Sequence, residues 1–194
     1  MILLGSTLIN APVMGLNTGS ELARIHQPII DPANLCILAY ELKGDLLPKS
    51  TTLLRIADVR ELSDMGFIVD SSDEFIEPSD VIKLEAVYKL QFKLLGMRVT
   101  DQQRRRLGKV IDYTLETTTF SIQQLTVRRP LLKSLNDTEL LIHRSQIVEI
   151  NDNSIVVHSA AIAPEPELHE VPGSYINPFR NTKSATEAST IDQR

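Results

Sequence analysis

Apolar and polar residues alternate along most of this chain in short runs, and clusters of turn-forming residues separate the runs. In the later half, β-branched and apolar residues concentrate in runs at 109–115, 120–127, 139–143 and 154–158. The earlier half carries a similar series at 25–30, 35–42, 52–56 and 67–69. The stretches between them (31–34, 63–66, 117–119 and 151–153) contain the Asn, Asp, Gly, Ser and Thr residues that favour turns. The pattern predicts consecutive short strands. A small all-β unit hides its sheet edges by curling or closing, so we expect small barrels.

The two series are weakly similar copies of one unit. Residues 22–25 match 107–110 at an offset of 85, and Leu35 and Ile37 fall on Phe120 and Ile122. After a shared Leu-Leu pair the offset becomes 88, and 68–69 match 156–157. Three residues have therefore been gained in a loop, where insertions cost little. This self-similarity predicts an internal duplication.

The segments outside the copies have patterns of their own. The apolar N-terminus at 1–5 predicts a first strand, because no Lys or Arg precedes it and polar residues follow at once. Between the copies, Pro78-Ser79-Asp80 precedes an apolar stripe, which predicts a capped helix packed across the junction. The stripe consists of Val81, Ile82, Leu84, Val87 and Tyr88. From Pro164 onward the chain is rich in Pro, Glu, Ser, Thr and Asn, which predicts a disordered tail.

The second copy contains three motifs that point to a known family. They are Leu95-Gly96-Met97-Arg98-Val99, Leu107-Gly108-Lys109-Val110-Ile111-Asp112 and Ile122-Gln123-Gln124-Leu125-Thr126-Val127. They resemble the PRC-barrel family, which includes the cytoplasmic domain of the photosynthetic reaction-centre H chain and the C-terminal domain of the ribosome maturation factor RimM. The first copy departs from the motif, with Ala23 in place of Gly108, and its assignment rests on the repeat. The resemblance implies a binding and assembly module without catalytic residues.

The repeat and the resemblance together predict an all-β chain of two tandem small PRC-type β-barrels. We place the first barrel at 1–77, a short helical linker at 78–91, the second barrel at 92–162 and a flexible C-terminal tail at 163–194.

Charge is distributed unevenly between the copies. Residues 1–85 carry 6 Lys and Arg against 13 Asp and Glu, whereas residues 86–162 carry 11 against 7. The tail carries 3 against 5, and the whole chain has a net charge of -5. Different partners for the two copies or attraction between them would both explain the asymmetry, and so would two solvated surfaces of unequal charge.

The sequence contains no constellation suited to catalysis, a cofactor or a metal. Phosphate-binding glycine loops and the nucleophile elbow G-x-S-x-G do not occur. The four histidines, His26, His143, His158 and His169, are scattered and are predicted to be surface residues. Cys36, the only cysteine, lies in an apolar run that predicts a buried thiol and a reducing compartment. No run approaches the roughly 20 apolar residues of a membrane span. We therefore predict a non-enzymatic, cytoplasmic protein without cofactor or metal.

A basic group in the second copy is the first candidate binding feature. It consists of Arg104, Arg105, Arg106, Lys109, Arg128, Arg129 and Lys133, with Arg98 nearby. If the loop before Lys109 and the hairpin near Arg129 lie at one end of the barrel, these side chains form a positive patch suited to phosphates or an acidic protein. A solvated turn is the alternative interpretation. No aromatic residues are interleaved with the group, so base stacking has no support.

Two further features are candidates for partner contact. The pairs Leu46-Leu47 and Leu131-Leu132 occupy the same loop in both copies, where they either contact a partner or plug the ends of the barrels. In the tail, Tyr175 and Phe179 lie in an apolar island that either folds onto a partner or lies against the barrels.

These features lead to a functional hypothesis with an alternative. The first is an adaptor that mediates protein-protein assembly, with further self-association possible and the partner unidentified. The alternative is an RNA- or ribosome-associated assembly factor, which the basic group favours and the overall acidity disfavours. An enzyme of unrecognised type is the third class, and it would require a polar pocket with strongly perturbed acids or bases.

Overall fold

The computed structural model of the chain describes residues 1–130 and 139–158. Strands predominate, which confirms the expected β class. Eight strands precede the longest helix: β1 (Ile2–Leu4), β2 (Pro12–Gly15), β3 (Ser20–Asp31), β4 (Cys36–Lys43), β5 (Leu53–Arg55), β6 (Glu61–Ser63), β7 (Gly66–Val69) and β8 (Phe75–Ile76). The strands that follow it are β9 (Arg98–Asp101), β10 (Arg106–Glu116), β11 (Ser121–Arg128), β12 (Glu139–His143), β13 (Ile147–Ile150) and β14 (Ser154–Val157).

Within residues 1–130 and 139–158, helical structure is confined to short segments. The α-helices are α1 (Gly5–Leu8) and α2 (Ile82–Lys89). Single 3-10 turns occupy Ile56–Asp58, Ser72–Glu74, Pro78–Asp80 and Arg144–Gln146. In the part of the chain that the structure describes, no helix has the length and apolar character needed to cross a membrane.

The same strand pairings recur in two parts of the chain, which we call the first strand set (β2 to β7) and the second strand set (β9 to β14). In the first set, β2–β3, β3–β4, β4–β5 and β6–β7 are antiparallel and β2–β7 is parallel. In the second set, β9–β10, β10–β11, β11–β12 and β13–β14 are antiparallel and β9–β14 is parallel.

The irregularities of the strands recur as well. The register of the first set skips Leu22, His26 and Leu38. The register of the second set skips Leu107, Ile111 and Gln123. Each skipped residue of the second set lies 85 positions after its counterpart, the offset found in the sequence. Bulges bend a strand and re-aim its side chains, so the two sets share local shape as well as topology.

The two strand sets meet along β4 and β11 through reciprocal backbone hydrogen bonds. Ile37 donates its N–H to the carbonyl of Phe120 at 2.9 Å, and Ile122 donates to the carbonyl of Leu35 at 2.8 Å. The core continues across this junction. The ring centroids of Tyr40 and Phe67 lie 5.3 Å apart, and that of Phe120 lies 6.4 Å from Tyr40.

Strand pairing follows one open path, which runs from β13 through β11 and β4 to β6. The described residues give the end strands β13 and β6 one partner strand each. Closure of either strand set into a barrel therefore stays a prediction.

The strand expected at the N-terminus is present as β1. It pairs with β10 of the second strand set, with Leu3 opposite Leu115, and its first residues are exposed. The sequence motif of the first copy begins after β1, so the repeat gave no indication of this pairing.

The helix expected between the copies is present as α2, preceded by the 3-10 turn at Pro78–Asp80. Leu84 is buried against Ile29, Ala39 and Leu53, and Val87 and Tyr88 pack beside them. The predicted apolar stripe was wrong at Ile82, which is 87% exposed. Helix α2 thus covers the face of β3 to β5 that is turned away from the main core.

Candidate partner-binding surface

The turn that carries Arg104 and Arg105 is held by a buried carboxylate. Asp101, at the end of β9, is 1% exposed. Its Oδ1 accepts the N–H groups of Gln103 at 2.9 Å and Arg105 at 2.8 Å, and its Oδ2 accepts Nε of Arg105 at 2.6 Å. Burial by itself would raise the pKa of Asp101, but the hydrogen bonds and positive charge of Arg105 outweigh it and hold the pKa below its usual value.

Strand register brings cations from three neighbouring strands together. Arg98 of β9 is paired with Lys109 of β10, and Lys109 is paired with Arg128 of β11. Directly paired residues project from the same face with Cβ atoms roughly 5 Å apart. All three are exposed. We call them, together with Arg106, the basic row.

Arg106 joins the basic row because of the bulge at Leu107. Arg106 is paired with Thr100 and Lys109 with Arg98, and these partners are two residues apart on β9. Side chains two residues apart in a strand share a face. Arg106 and Lys109, three positions apart, therefore point the same way. Simple alternation along β10 would have placed them on opposite faces, which is why the sequence did not reveal this arrangement.

No member of the basic row forms a salt bridge within residues 1–130 and 139–158. The ion pair nearest in sequence joins Arg105 to Asp101, and neither residue belongs to the row. Glu139 is paired with Arg128 at one end of the row without forming a salt bridge. Like charges directly opposite each other on a sheet are destabilising. Repulsion between these cations therefore lowers the stability of the fold locally, and a bound anion would remove that repulsion.

The first strand set shows the same positions in a neutralised form. Arg24 and Lys43 are paired there, as Lys109 and Arg128 are in the second set. Glu21 occupies the position of Arg106 and forms a 2.6 Å salt bridge with Arg24. Arg24 also donates to the carbonyl of Asn10. Pro12 is paired with Arg24, where the second set has Arg98 paired with Lys109. Two differences, Glu21 for Arg106 and Pro12 for Arg98, thus change the charge of this face between the two sets.

The other predicted contact residues lie in mixed surroundings. Leu46 is 84% exposed, whereas Leu47 is half-buried and packs against the core, so the pair is divided between solvent and interior. Arg129 is half-buried after β11, and Arg104 is exposed at the turn. Five of the predicted contact residues lie outside the described ranges: Leu131, Leu132, Lys133, Tyr175 and Phe179.

The remaining candidate groups do not form a centre. His26, His143 and His158 are exposed, as predicted, and His169 lies outside the described ranges. The prediction of a buried Cys36 was wrong, because Cys36 is half-buried. Partial burial raises the pKa of its thiol, and the charge of Asp31 adds to the rise. Among the residues that the structure describes, no three His, Cys, Asp or Glu side chains converge in a way that could hold a metal.

Comparison with known proteins adds no relative. No protein-family model matches the chain, and no curated protein matches it.

Proposed function

We propose that this chain is a non-enzymatic binding protein, built as two tandem PRC-type barrels, which holds partner proteins together in an assembly. The recurring pairings and the matched bulges of the two strand sets support the duplication. The reciprocal hydrogen bonds at Leu35–Ile122 and Ile37–Phe120 support an intrachain pair of like units, because identical units related by a two-fold axis make each contact twice.

The basic row is the docking surface in this proposal, and its occupant is an acidic protein segment. The observation that carries the proposal is the register Arg98–Lys109–Arg128, which sets three exposed cations side by side, none of them in a salt bridge of the described residues. Glu139 beside Arg128 is the one carboxylate paired with the row. Residues that break a local rule of stability are expected at functional sites. Carboxylates of a partner would form charge-assisted hydrogen bonds with the two guanidinium groups.

RNA is the alternative occupant, because phosphates would also neutralise the row. The aromatic residues of β10 and the β10–β11 turn, Tyr113 and Phe120, are both buried. They cannot serve as the exposed stacking platform that single-stranded nucleic acid requires. The second strand set therefore favours a protein partner.

The test is a crosslinking pull-down of the full-length chain from its own cells, with and without ribonuclease. The variant is Lys109→Glu with Arg128→Glu, which reverses two charges of the basic row. The matched control is Lys43→Glu, because Lys43 holds the position of Arg128 in the first strand set. We expect a small set of proteins that survives ribonuclease, is lost in the double variant and is retained in the control.

Two results would contradict the proposal. If the captured proteins disappear after ribonuclease treatment, RNA and not a protein is the ligand of the basic row. Equal loss in the Lys43→Glu control would show that capture does not depend on the basic row. Circular dichroism of each variant confirms that the fold is retained before the comparison is made.

A further inference from the structure

The segment that follows β7 carries a cluster of charge opposite in sign to the basic row. Residues 73–80, which we call the acidic segment, contain Asp73, Glu74, Glu77 and Asp80 and no Lys or Arg. Three of these side chains are exposed, and Glu74 is half-buried. None of the four takes part in a salt bridge of the described residues. The acidic segment and the basic row are therefore two clusters of like charge, and the charges of each repel one another.

Local structure fixes the backbone of the acidic segment. Its first 3-10 turn is capped by the hydroxyl of Ser71, which accepts the N–H of Asp73 at 3.1 Å. Strand β8 follows and pairs with β5. The second 3-10 turn is closed by the carboxylate of Asp80, which accepts the N–H of Glu77 at 2.8 Å. Because the backbone is already ordered, a partner that binds these carboxylates orders little more than their side chains.

Within one molecule the acidic segment and the basic row lie on different sides of the junction between the strand sets. At that junction Ser121 of β11 pairs with Cys36 of β4, and Arg128 lies seven residues further along β11. At about 3.3 Å per residue, Arg128 is roughly 23 Å from the junction. Strand β4 is antiparallel to β11, so it runs from the junction in the opposite direction. The acidic segment is attached to that side, because β8 pairs with β5 and β5 pairs with residues 39–41 of β4.

This strand arrangement favours contact between two molecules over contact within one. The salt bridges of residues 1–130 and 139–158 do not join the acidic segment to the basic row. Both clusters are present in every molecule, so each meets its complement at the full concentration of the protein. Complementary charge brings such surfaces together and disfavours contact between surfaces of like charge.

We propose that the basic row of one molecule binds the acidic segment of a second molecule, so that the chain self-associates head to tail. This inference rests on the proposed function, because it takes the same docking surface and names a second copy of the chain as its acidic partner. Carboxylates of the acidic segment form charge-assisted hydrogen bonds with the guanidinium groups of the row. Each contact joins two different surfaces and leaves one basic row and one acidic segment unoccupied. Association therefore continues to longer assemblies or closes into a ring.

Sedimentation velocity of the full-length chain measures this self-association. In about 50 mM salt, where charges are weakly screened, the average mass should rise with concentration above the 21.7 kDa of one chain. A small charged contact of this kind has a Kd on the order of 100 µM. In about 500 mM salt the average mass should return to that of one chain. A single-chain mass up to about 1 mM protein at low salt, or an association that salt does not weaken, would overturn the proposal.

Two variants each remove one half of the contact. Lys109→Glu with Arg128→Glu reverses two charges of the basic row. Asp73→Lys with Glu74→Lys reverses two charges of the acidic segment. Each variant alone places like charges opposite each other, so we expect its Kd for self-association to rise at least about tenfold. Circular dichroism of each variant checks the fold before the masses are compared.

A mixture of the two variants distinguishes a specific contact from general attraction. The basic-row variant keeps its acidic segment, and the acidic-segment variant keeps its basic row. An equimolar mixture should therefore form a dimer that does not grow further. Both variants retain a net negative charge, so overall attraction between them cannot produce this dimer.

The matched control is Glu61→Lys with Asp64→Lys, which makes the same change in net charge at the β6–β7 hairpin, outside the acidic segment. This control should associate as the wild type does. An equal loss of association in the control, wild-type association of either variant alone, or a mixture that stays monomeric would each overturn the proposal.

The two proposals fail separately. If the wild type stays monomeric while the captured proteins still depend on the basic row, the row binds another acidic protein and only the self-association is wrong. If self-association depends on the row and the captured proteins do not, the head-to-tail contact stands and the adaptor role of the row is wrong.

Discussion

In the first strand set Glu21 neutralises Arg24, whereas in the second the same position holds Arg106 beside Lys109. The backbone pairing around the two sites is alike, down to the bulge that turns both side chains to one face. The electrostatic character of the face is therefore set by side chains placed on an invariant register. A duplicated scaffold can therefore pair a cation with a carboxylate in one copy and place a further cation at the matched position in the other.

The two sets also solve one packing problem differently. Where β10 approaches β11, a Cβ on Gly108 would collide with the carbonyl of Arg128. In the first set the matched residue is Ala23, which is buried. There the glycine is on the neighbouring strand segment, as Gly44, which faces Ala23. A Cβ on Gly44 would lie 3.4 Å from Cα of Ala23, an ordinary contact. Close approach is thus required only in the second set.

Because of this difference, a substitution at Gly108 should destabilise the fold most. Gly108→Ala forces the two strands apart, and we expect the free energy of unfolding to fall by about 3 kcal/mol, the upper end of overpacking costs. The matched control is Ala23→Gly, which removes a methyl group and adds backbone freedom, at about 1 kcal/mol. Urea denaturation of both variants measures the difference. Equal losses at the two sites would show that the strands separate easily at Gly108.

Many of the strands were predictable from the sequence because the same pattern of apolar residues occurs in both copies. The runs at 120–127 and 139–143 match β11 and β12 closely, and the turns at 117–119 and 151–153 lie where Asx and Thr residues predict them. The strands that were not predicted, such as β2, β6 and β13, are only three or four residues long. In runs this short, alternation is too brief to separate a strand from a loop.

The candidate sites were only partly predictable, because they depend on register and on contacts distant in sequence. The sequence shows that the basic residues between Arg104 and Lys109 are clustered. It does not show the bulge that turns Arg106 and Lys109 to one face. A cavity in the described part of the chain is lined by Gln27, Lys93 and Tyr113, which lie 66 and 20 positions apart in the sequence. Periodicity describes one segment at a time, so it cannot place three segments around one space.

The next prediction concerns Asp101. Its counterpart in the first set is Gly15, because Met14 pairs with Glu21 as Thr100 pairs with Arg106. Asp101→Asn removes the charge that holds Arg105, and we expect a lower Tm at pH 7, by less than Gly108→Ala lowers it. The folded-state pKa lies below the ordinary value of about 3.9. The stabilisation is therefore present above that value and is lost as pH falls through the folded-state pKa.

Thermal unfolding between pH 3 and pH 7 measures this dependence. The difference in Tm between the wild type and Asp101→Asn should be constant from pH 5 to 7 and should narrow below about pH 4. Asp152→Asn, in an exposed turn, is the control and should leave Tm unchanged at all these values. A difference that persists undiminished at pH 3 would mean that the hydrogen bonds of the turn do not depend on the charge of Asp101.

The smallest effect tests how far the two strand sets share backbone conformation. Asn10 and Gly96 both have positive φ, 65° and 87°. Each donates its N–H to the matched residue of the following strand, Asn10 to Ile25 at 2.9 Å and Gly96 to Val110 at 2.8 Å. A Cβ on Gly96 would meet nothing within 4 Å, so a substitution there tests conformational strain without a clash.

Gly96→Ala should therefore lower the free energy of unfolding by about 1 kcal/mol, because alanine is strained in the left-handed region. Gly96→Asn should cost less, since asparagine tolerates that conformation and already occupies the matched position in the first set. The reverse change, Asn10→Gly, should be nearly neutral for the same reason. Urea denaturation of the three variants checks this order. If alanine and asparagine proved equally costly at 96, the positive φ would not be the shared constraint, and the correspondence between the sets would end at strand pairing and bulges.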